Sequence, residues 1–404
     1  MHFSSTLQGA LLASLILIPM PALAATDAAV ATGSVPVRHI SVNVALFPPL
    51  EFASEFEGRV SPRLGLNIIG GRTYGLDGLE MGGVFNMKDG YVNGTQLAGA
   101  FNLAGGPVNY FQAAGIANLV AGPVSGMQAA GAANLVSGDT SGFQAAGGAN
   151  LVSGDTRGLQ AAGVLNIAGG RVSGFQAAGG VNVAGGSFDG LQAAGLVNVA
   201  QGSLRGAQAA GLVNTVAGNA AGAQMGLLNV AGGRVDGAQI GLVNIADDLD
   251  GVPVGIFSYV RKGRLEAQAL YENNGFTQIA VNSGGLGAYS IASVGYRSET
   301  GAPLYALQLG LGFNRELGNG FYNQFELLSG NVMLTPDSFR NSGVLQTLRE
   351  SIGFRLAPHL AAKVGVSLNV LSAASLANNP LTNSPLYSSA NVQVWPGYFA
   401  ALEF

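Results

Sequence analysis

The sequence predicts an all-β chain in which a β-solenoid of about eleven 16-residue repeats is joined to a roughly ten-stranded antiparallel β-barrel of the outer-membrane type. Three observations lead to this prediction. A glycine-rich unit of 16 residues recurs through the middle of the chain, and 63 of the 404 residues are glycine. The last third alternates apolar and polar residues, as barrel strands do. The N-terminus has the pattern of an export signal.

Residues 1–24 are predicted to be a signal peptide. Leu11 to Met20 form an apolar core, and Ala22-Leu23-Ala24 is an A-x-A cleavage sequence, although no Lys or Arg precedes the core. A membrane anchor is the alternative, but a spanning helix needs about 20 apolar residues and this run is shorter. The chain has no cysteine, which excludes disulfides and Cys–zinc sites.

The repeat is assigned to residues 62–250. Gln recurs every 16 residues from Gln96 to Gln224, with Glu80 in the same position of the first copy. Asn recurs at the same spacing from Asn86 to Asn214. Each unit carries several glycines, each of which costs a helix about 1 kcal/mol relative to alanine, so short β-strands separated by glycine turns are expected.

Two β arrangements fit such a repeat, a solenoid of stacked parallel coils and an up-and-down sheet with one strand per unit. Parallel stacking places each Gln over the previous Gln, so that the amides form hydrogen-bonded ladders. The fixed position of Gln and Asn therefore favours the solenoid, although recent duplication would also keep the copies alike. Gln224 and Asn229 are five residues apart instead of six, a change that a corner tolerates. We expect rows of Gln, Asn and small residues on the surface.

The segment 251–404 is predicted to form the barrel, completed by a strand at 39–47 within the N-terminal segment 25–61. In both regions apolar residues alternate with polar ones, and the chain ends on Phe404 after apolar residues at alternate positions. Trp395 and Tyr398 are expected in the interfacial aromatic girdle. The other predicted strands are 253–260, 264–271, 275–282, 287–297, 303–314, 321–333, 346–357, 361–371 and 387–404.

This count of ten strands predicts sidedness. With the C-terminus in the periplasm, the short turns near 261–263, 315–320 and 358–360 are periplasmic and the longer loops, such as 372–386, face outside. The same parity places the connection 48–252, which contains the whole repeat, outside the cell. A ten-stranded barrel is too narrow to enclose a solenoid, so the repeat is expected outside the pore.

The arrangement resembles a family of bacterial surface repeat-containing proteins. The resemblance rests on the GxQxAGLxNxAGG unit, on the GxQIGLVNIA sequence at 237–246, on Gly251-Val252-Pro253-Val254-Gly255 after it, and on the barrel-like end. It covers nearly all of the chain after the signal. It implies no activity and no functional residues.

The sequence predicts no catalytic, cofactor-binding or metal site. His39 and His359 are the only histidines beyond the signal, too few for a triad or a metal centre. Asp247, Asp248 and Asp250 form an acidic cluster at the end of the repeat, which is expected to be a solvated cap. Ca²⁺ binding, which uses several carboxylate oxygens, is left open.

We therefore expect a non-enzymatic outer-membrane surface protein of a Gram-negative bacterium that displays its solenoid for a structural or adhesive role. The alternatives are a channel or transporter that uses the barrel lumen, and a fully secreted solenoid. Expected partners are outer-membrane lipid, the barrel assembly machinery and a surface glycan or cell-surface partner. With a net charge of −4 the chain shows no electrostatic footprint for nucleic acid.

Overall fold

A computed structural model describes residues 36–52, 58–298, 304–333, 342–373 and 385–404. The chain divides into two compact units, Met1–Gly218 and Asn219–Phe404. The predicted signal peptide, 1–24, lies outside the described residues. Within the described part, no helix has the length and hydrophobicity needed to cross a bilayer.

The first unit consists of short β-strands throughout its described residues. They are β1 (Val37–Phe47), β2 (Leu50–Glu51), β3 (Arg59–Asn67), β4 (Gly70–Thr73), β5 (Leu79–Gly82), β6 (Phe85–Lys88), β7 (Val92–Ala98), β8 (Phe101–Ala104), β9 (Val108–Ala114), β10 (Ala117–Val120), β11 (Val124–Ala130), β12 (Ala133–Val136), β13 (Thr140–Ala146), β14 (Ala149–Val152), β15 (Thr156–Ala162), β16 (Leu165–Ala168), β17 (Val172–Ala178), β18 (Val181–Ala184), β19 (Phe188–Ala194), β20 (Val197–Ala200), β21 (Leu204–Ala210) and β22 (Val213–Val216).

These strands form a succession of coils, most with one long and one short strand, and the coils stack in parallel. The odd-numbered strands from β3 onward make one sheet, here the long sheet, and the even-numbered strands from β4 make a second, the short sheet. Neighbours pair in register, with Gln128 opposite Gln144 and Asn134 opposite Asn150. The predicted solenoid is confirmed, with about twelve turns instead of eleven.

The core between the two sheets is thin and contains both valines and amides. Val92, Val108 and Val124 pack there against residues of the short sheet such as Val136. The Gln and Asn rows also point inward, and Gln128 and its equivalents are almost wholly buried. The expectation that amide rows lie on the surface is therefore wrong: their side chains bond along the stack inside the core.

Glycine is required where consecutive coils approach most closely. A Cβ on Gly147 would lie 2.2 Å from the carbonyl oxygen of Gly131 in the coil before it. Gly142 has φ +128°, a left-handed conformation that L side chains rarely adopt. The 16-residue recurrence of these glycines is thus a consequence of the coil spacing.

The strand predicted at 39–47 as the first barrel strand belongs to the solenoid. β1 pairs in parallel with β3, Val44 lying opposite Leu66, and its other edge pairs with β2. The prediction was wrong because alternation of apolar and polar residues marks any strand with one buried face. Only the pairing partner of such a strand shows whether it belongs to the solenoid or to the barrel.

The second unit contains the last coils and the barrel. Its strands are β23 (Ala220–Met225), β24 (Leu228–Ala231), β25 (Arg234–Ile240), β26 (Val243–Ala246), β27 (Asp248–Val254), β28 (Phe257–Val260), β29 (Arg264–Glu272), β30 (Thr277–Gly284), β31 (Ala288–Arg297), β32 (Leu304–Gly318), β33 (Phe321–Met333), β34 (Ser342–Ala357), β35 (Leu360–Ser372), β36 (Tyr387–Ser388) and β37 (Val392–Glu403). The shortened copies keep register, since Gln224 lies opposite Gln239.

The barrel is closed and antiparallel, and it has eight strands instead of the ten predicted. β29 to β35 pair in sequence order, β35 pairs with β37, and β37 pairs back with β29. The predicted barrel strand 253–260 is instead the end of β27 together with β28, which form the last coil. Together with 39–47, this accounts for both surplus strands.

The corrected count changes which end of the barrel the solenoid joins. β29 begins at Arg264 beside the end of β37, because Gln268 lies opposite Glu403. This end also has the short turns 285–287, 319–320 and 358–359, while the connections at the other end are longer. The chain therefore passes from the last coil into the barrel at the end where Phe404 lies, and the parity argument for the opposite end was wrong.

Candidate functional site

Two amide ladders run through the first unit in opposite directions. Each Gln donates to the Gln of the preceding coil, as Gln112 does to Gln96 at 2.7 Å. Each Asn from Asn86 to Asn198 donates to the next coil, and also to a backbone carbonyl of the long sheet, as Asn134 does to Asn150 and to Ala145 at 2.8 and 2.9 Å. Over these coils the Asn ladder thereby ties the two sheets together.

The Gln ladder ends on a buried ion pair. Gln96 donates to Oε2 of Glu80 at 2.9 Å, and Lys88 donates to Oε1 of Glu80 at 2.6 Å. An ionised carboxylate has no donor, so it can only terminate a row in which every member donates to the one before. Lys88 and Glu80 are both fully buried and offset each other's charge.

In the second unit the Asn ladder continues into the barrel. Asn244 donates to Ser258 Oγ at 3.2 Å, and that hydroxyl lies 3.0 Å from Ser290 Oγ. Ser290 also donates to the carbonyl of Pro253 at 3.0 Å, and Ser283 Oγ accepts from the backbone N–H of Ser258 at 3.0 Å. The last coil is therefore hydrogen-bonded directly to β30 and β31.

The barrel interior holds a buried charged network. Lys363 Nζ lies 2.8 Å from Glu326 and 3.1 Å from Glu403, and it donates to Gln324 at 2.6 Å. Tyr322 donates to Glu403 at 2.6 Å. Eight strands leave an interior that side chains just fill, and here they fill it with paired charges.

A second group of buried charges lies farther along the interior. Arg349 lies 3.7 Å from Glu272 and 3.9 Å from Glu326, so it links the two carboxylates. Glu272 also accepts hydrogen bonds from Ser367 and Asn369. The sequence did not predict these pairs, because Arg349 and Lys363 meet carboxylates that lie far away along the chain.

The interior is apolar at the end with long loops. Trp395, only 2% exposed, packs there against the residues of one cluster, namely Phe276, Leu304, Ala306, Val332, Leu345 and Leu371. The prediction that Trp395 lies in the interfacial girdle is wrong, because its side chain is on the face of β37 that points into the barrel. Tyr398, by contrast, is 68% exposed.

The outer surface of the barrel is apolar between two rows of aromatic residues. Exposed side chains of its middle include Leu307, Val364 and Val366. Tyrosines lie outward near the long-loop end, and phenylalanines lie outward near the short-turn end. The tyrosines are Tyr271, Tyr296, Tyr305 and Tyr398, and the phenylalanines are Phe313, Phe321, Phe354 and Phe404.

The acidic cluster at the end of the repeat is neutralised by basic residues. Asp247 pairs with Arg261 and, at 2.9 Å, with Lys262, while Arg234 pairs with Asp250 and lies 3.9 Å from Asp248. Hydrogen bonds from Arg261 and Lys262 lower the pKa of Asp247 to about 2. No group of three metal-ligating side chains occurs in the described part of the chain.

A cavity of about 630 Å³ opens at the short-turn end of the barrel. Both basic and acidic groups line it, namely Arg264, Arg355, Glu266, Glu316 and Glu403. His359 also lines this cavity, while His39 lies 2.9 Å from Asp77 in the first unit, and the two histidines share no site. Such a balanced lining favours no particular charge of ligand.

No protein-family model and no curated protein matches the chain. Two solved structures are similar to part of it. A de novo designed transmembrane β-barrel is 11% identical, with a TM-score of 0.20, over 35% of this chain and 92% of its own. The neisserial surface protein A is also 11% identical, with a TM-score of 0.23, over 34% of this chain and 92% of its own. The resemblance to surface repeat-containing proteins stays a prediction.

Proposed function

We propose that the chain is a non-enzymatic outer-membrane protein whose closed barrel anchors a structural solenoid on the periplasmic side. The observation that carries the proposal is the arrangement of the barrel, charged inside and apolar outside between two aromatic rows. Barrels that cross the outer membrane have this arrangement, with an apolar band flanked by aromatic girdles. A barrel surrounded by water would have little reason to expose Leu307, Val364 and Val366 while burying Lys363.

The sidedness follows from the turns. Outer-membrane barrels have short periplasmic turns and longer extracellular loops. The solenoid enters at Arg264, beside Phe404 and the short turns, so the same rule assigns it to the periplasm. Display of the repeat to a surface glycan depended on an outside location and on exposed amide rows. The amide rows are buried and the turn rule assigns the repeat to the periplasm, so neither premise supports surface display. We therefore propose a scaffold role on the periplasmic side of the membrane.

The filled interior argues for an anchor and against a channel. Paired charges around Lys363 and the apolar cluster around Trp395 occupy the lumen in series. We therefore expect no stepwise conductance when the purified full chain is added to a planar bilayer. Reproducible single-channel steps from the purified full chain would favour the channel or transporter alternative.

The membrane assignment is tested by fractionation. The protein should be recovered with the outer membrane, and unheated samples should migrate differently from boiled ones because a closed barrel resists detergent. Deleting Phe404 should lower the amount assembled, since its backbone exchanges two hydrogen bonds with Ala267 at 2.8 and 3.1 Å and closes β37 on β29. Recovery of the intact chain as a soluble periplasmic protein would refute the assignment.

A further inference from the structure

The short sheet of the first unit has one face in the core and one face outside, and the outside face is almost wholly apolar. In each strand from β6 to β22 the second and fourth residues are buried in the core, and the first and third lie on the other face, where most are partly exposed and Ala117, Val183 and Val199 are buried. The outward residues of these nine strands are Phe, Ala, Leu or Val in first position and Met, Leu, Ile or Val in third, with Thr215 as the single polar one. We call these residues the apolar face.

Charge is confined to the opposite side of the coils. The segment 94–218, all of it described, has six charged residues. They lie in the corner that precedes the long strand or at its second position, and they are Asp139, Asp155, Arg157, Arg171, Asp189 and Arg205. Exposed Ile116, Val164 and Leu196 extend the apolar face around the other corner. Contiguous apolar patches of this kind mark interaction surfaces.

We propose that the apolar face pairs with the same face of a second copy, about a two-fold axis parallel to the stacking direction. Such an axis places the first position of each short strand opposite the third position of its equivalent. In β10, β12 and β14 these positions are Ala and Leu, as in Ala133 and Leu135. In these three strands each leucine then meets an alanine, and large residues packed against small ones fill a core without voids. In β18 and β20 valine meets valine, and in β6, β8 and β16 two large residues meet.

The size and nature of the face fit this occupant. Nine strands about 4.8 Å apart, each four residues of about 3.3 Å, make a face of about 43 Å by 13 Å, or about 560 Å². The corner residues extend it toward the roughly 800 Å² that each partner contributes to a stable interface. Two copies anchored in one membrane also have coils of the same polarity, an argument that rests on the proposed function.

Cross-linking tests the pairing, because the chain has no cysteine of its own. Leu103→Cys and Ile167→Cys are placed on the apolar face, four coils apart, and Ser141→Cys on the charged side is the matched control. A short bismaleimide is applied to the full-length variants in outer-membrane vesicles, and folding is checked by heat-modifiable migration. Both face variants should give mostly dimer, with at least a tenfold lower dimer yield from Ser141→Cys.

Each other result overturns the proposal. Equal yields from all three sites indicate random collision, and dimer from neither face variant excludes the pairing. The same variants carrying a fluorophore test whether lipid covers the face instead. Quenching by spin-labelled lipid without cross-linking would assign the face to the membrane surface. If the chain is instead recovered in the soluble fraction, the proposed membrane anchor is refuted. Dimer formation by the soluble chain can still be measured in that case.

Discussion

Replacing Asn166 by leucine should destabilise the solenoid by several kcal/mol, whereas replacing Arg171 by alanine should change its stability little. Asn166 is fully buried, donates to Asn182 Oδ1 at 2.9 Å and to the carbonyl of Ala177 at 2.7 Å, and accepts from Asn150 at 2.9 Å. Each buried partner left unsatisfied costs about 1–3 kcal/mol. The Arg171 side chain lies in an exposed corner, where substitutions stay within about 0.5 kcal/mol.

The comparison is made on the full-length chain by limited proteolysis of the repeat and by thermal melts that follow the loss of its β-sheet structure. The wild type and Arg171→Ala should resist protease alike, and Asn166→Leu should be cut much faster in mid-repeat. Equal resistance of the two variants would mean that the Asn ladder has no structural role. The regular recurrence of Asn would then reflect duplication alone.

Replacing Lys363 by methionine should destabilise the barrel by about 3–5 kcal/mol, or prevent its assembly. Methionine keeps much of the side-chain volume but leaves Glu326 and Glu403 without the ammonium group that lies 2.8 and 3.1 Å from them. Removing one partner of a buried ion pair leaves an uncompensated charge, which costs this much in folded proteins.

Arg355→Met is the matched control for this change. Arg355 pairs with Glu316 at 2.6 Å, but both side chains are about half exposed, and such pairs are worth at most about 1 kcal/mol. The temperature at which the folded gel band converts to the unfolded one should fall strongly for Lys363→Met and little for Arg355→Met. Similar falls for both would indicate that the interior network is hydrated and that the lumen is open.

The solenoid was predictable from sequence because every coil repeats the same residues at the same positions. A fixed 16-residue spacing of Gln, Asn and Gly follows from coils that stack in register, where Gln128 meets Gln144 and Gly147 meets Gly131. The shortening between Gln224 and Asn229 could also be interpreted correctly, because the change falls beside a corner. Each of these signals is local or periodic.

The barrel size and its interior were not predictable in the same way. Alternation places a residue on one of two faces but does not say which face is lipid or lumen, so Trp395 was assigned to the wrong side. It does not identify the neighbouring strand either, and β1 was therefore counted in the barrel. The Lys363–Glu326 pair joins positions far apart in sequence, and only the closed structure brings them together.

The most direct test of the account is the accessibility of single cysteines in living cells. Ser298→Cys lies beside a long loop, His359→Cys in a short turn and Ser173→Cys on the charged side of the solenoid, and all three residues are exposed in a chain without other cysteines. A membrane-impermeant maleimide added to intact cells should label Ser298→Cys alone, and all three after the outer membrane is permeabilised. Labelling of Ser173→Cys on intact cells would place the solenoid outside and contradict the periplasmic scaffold.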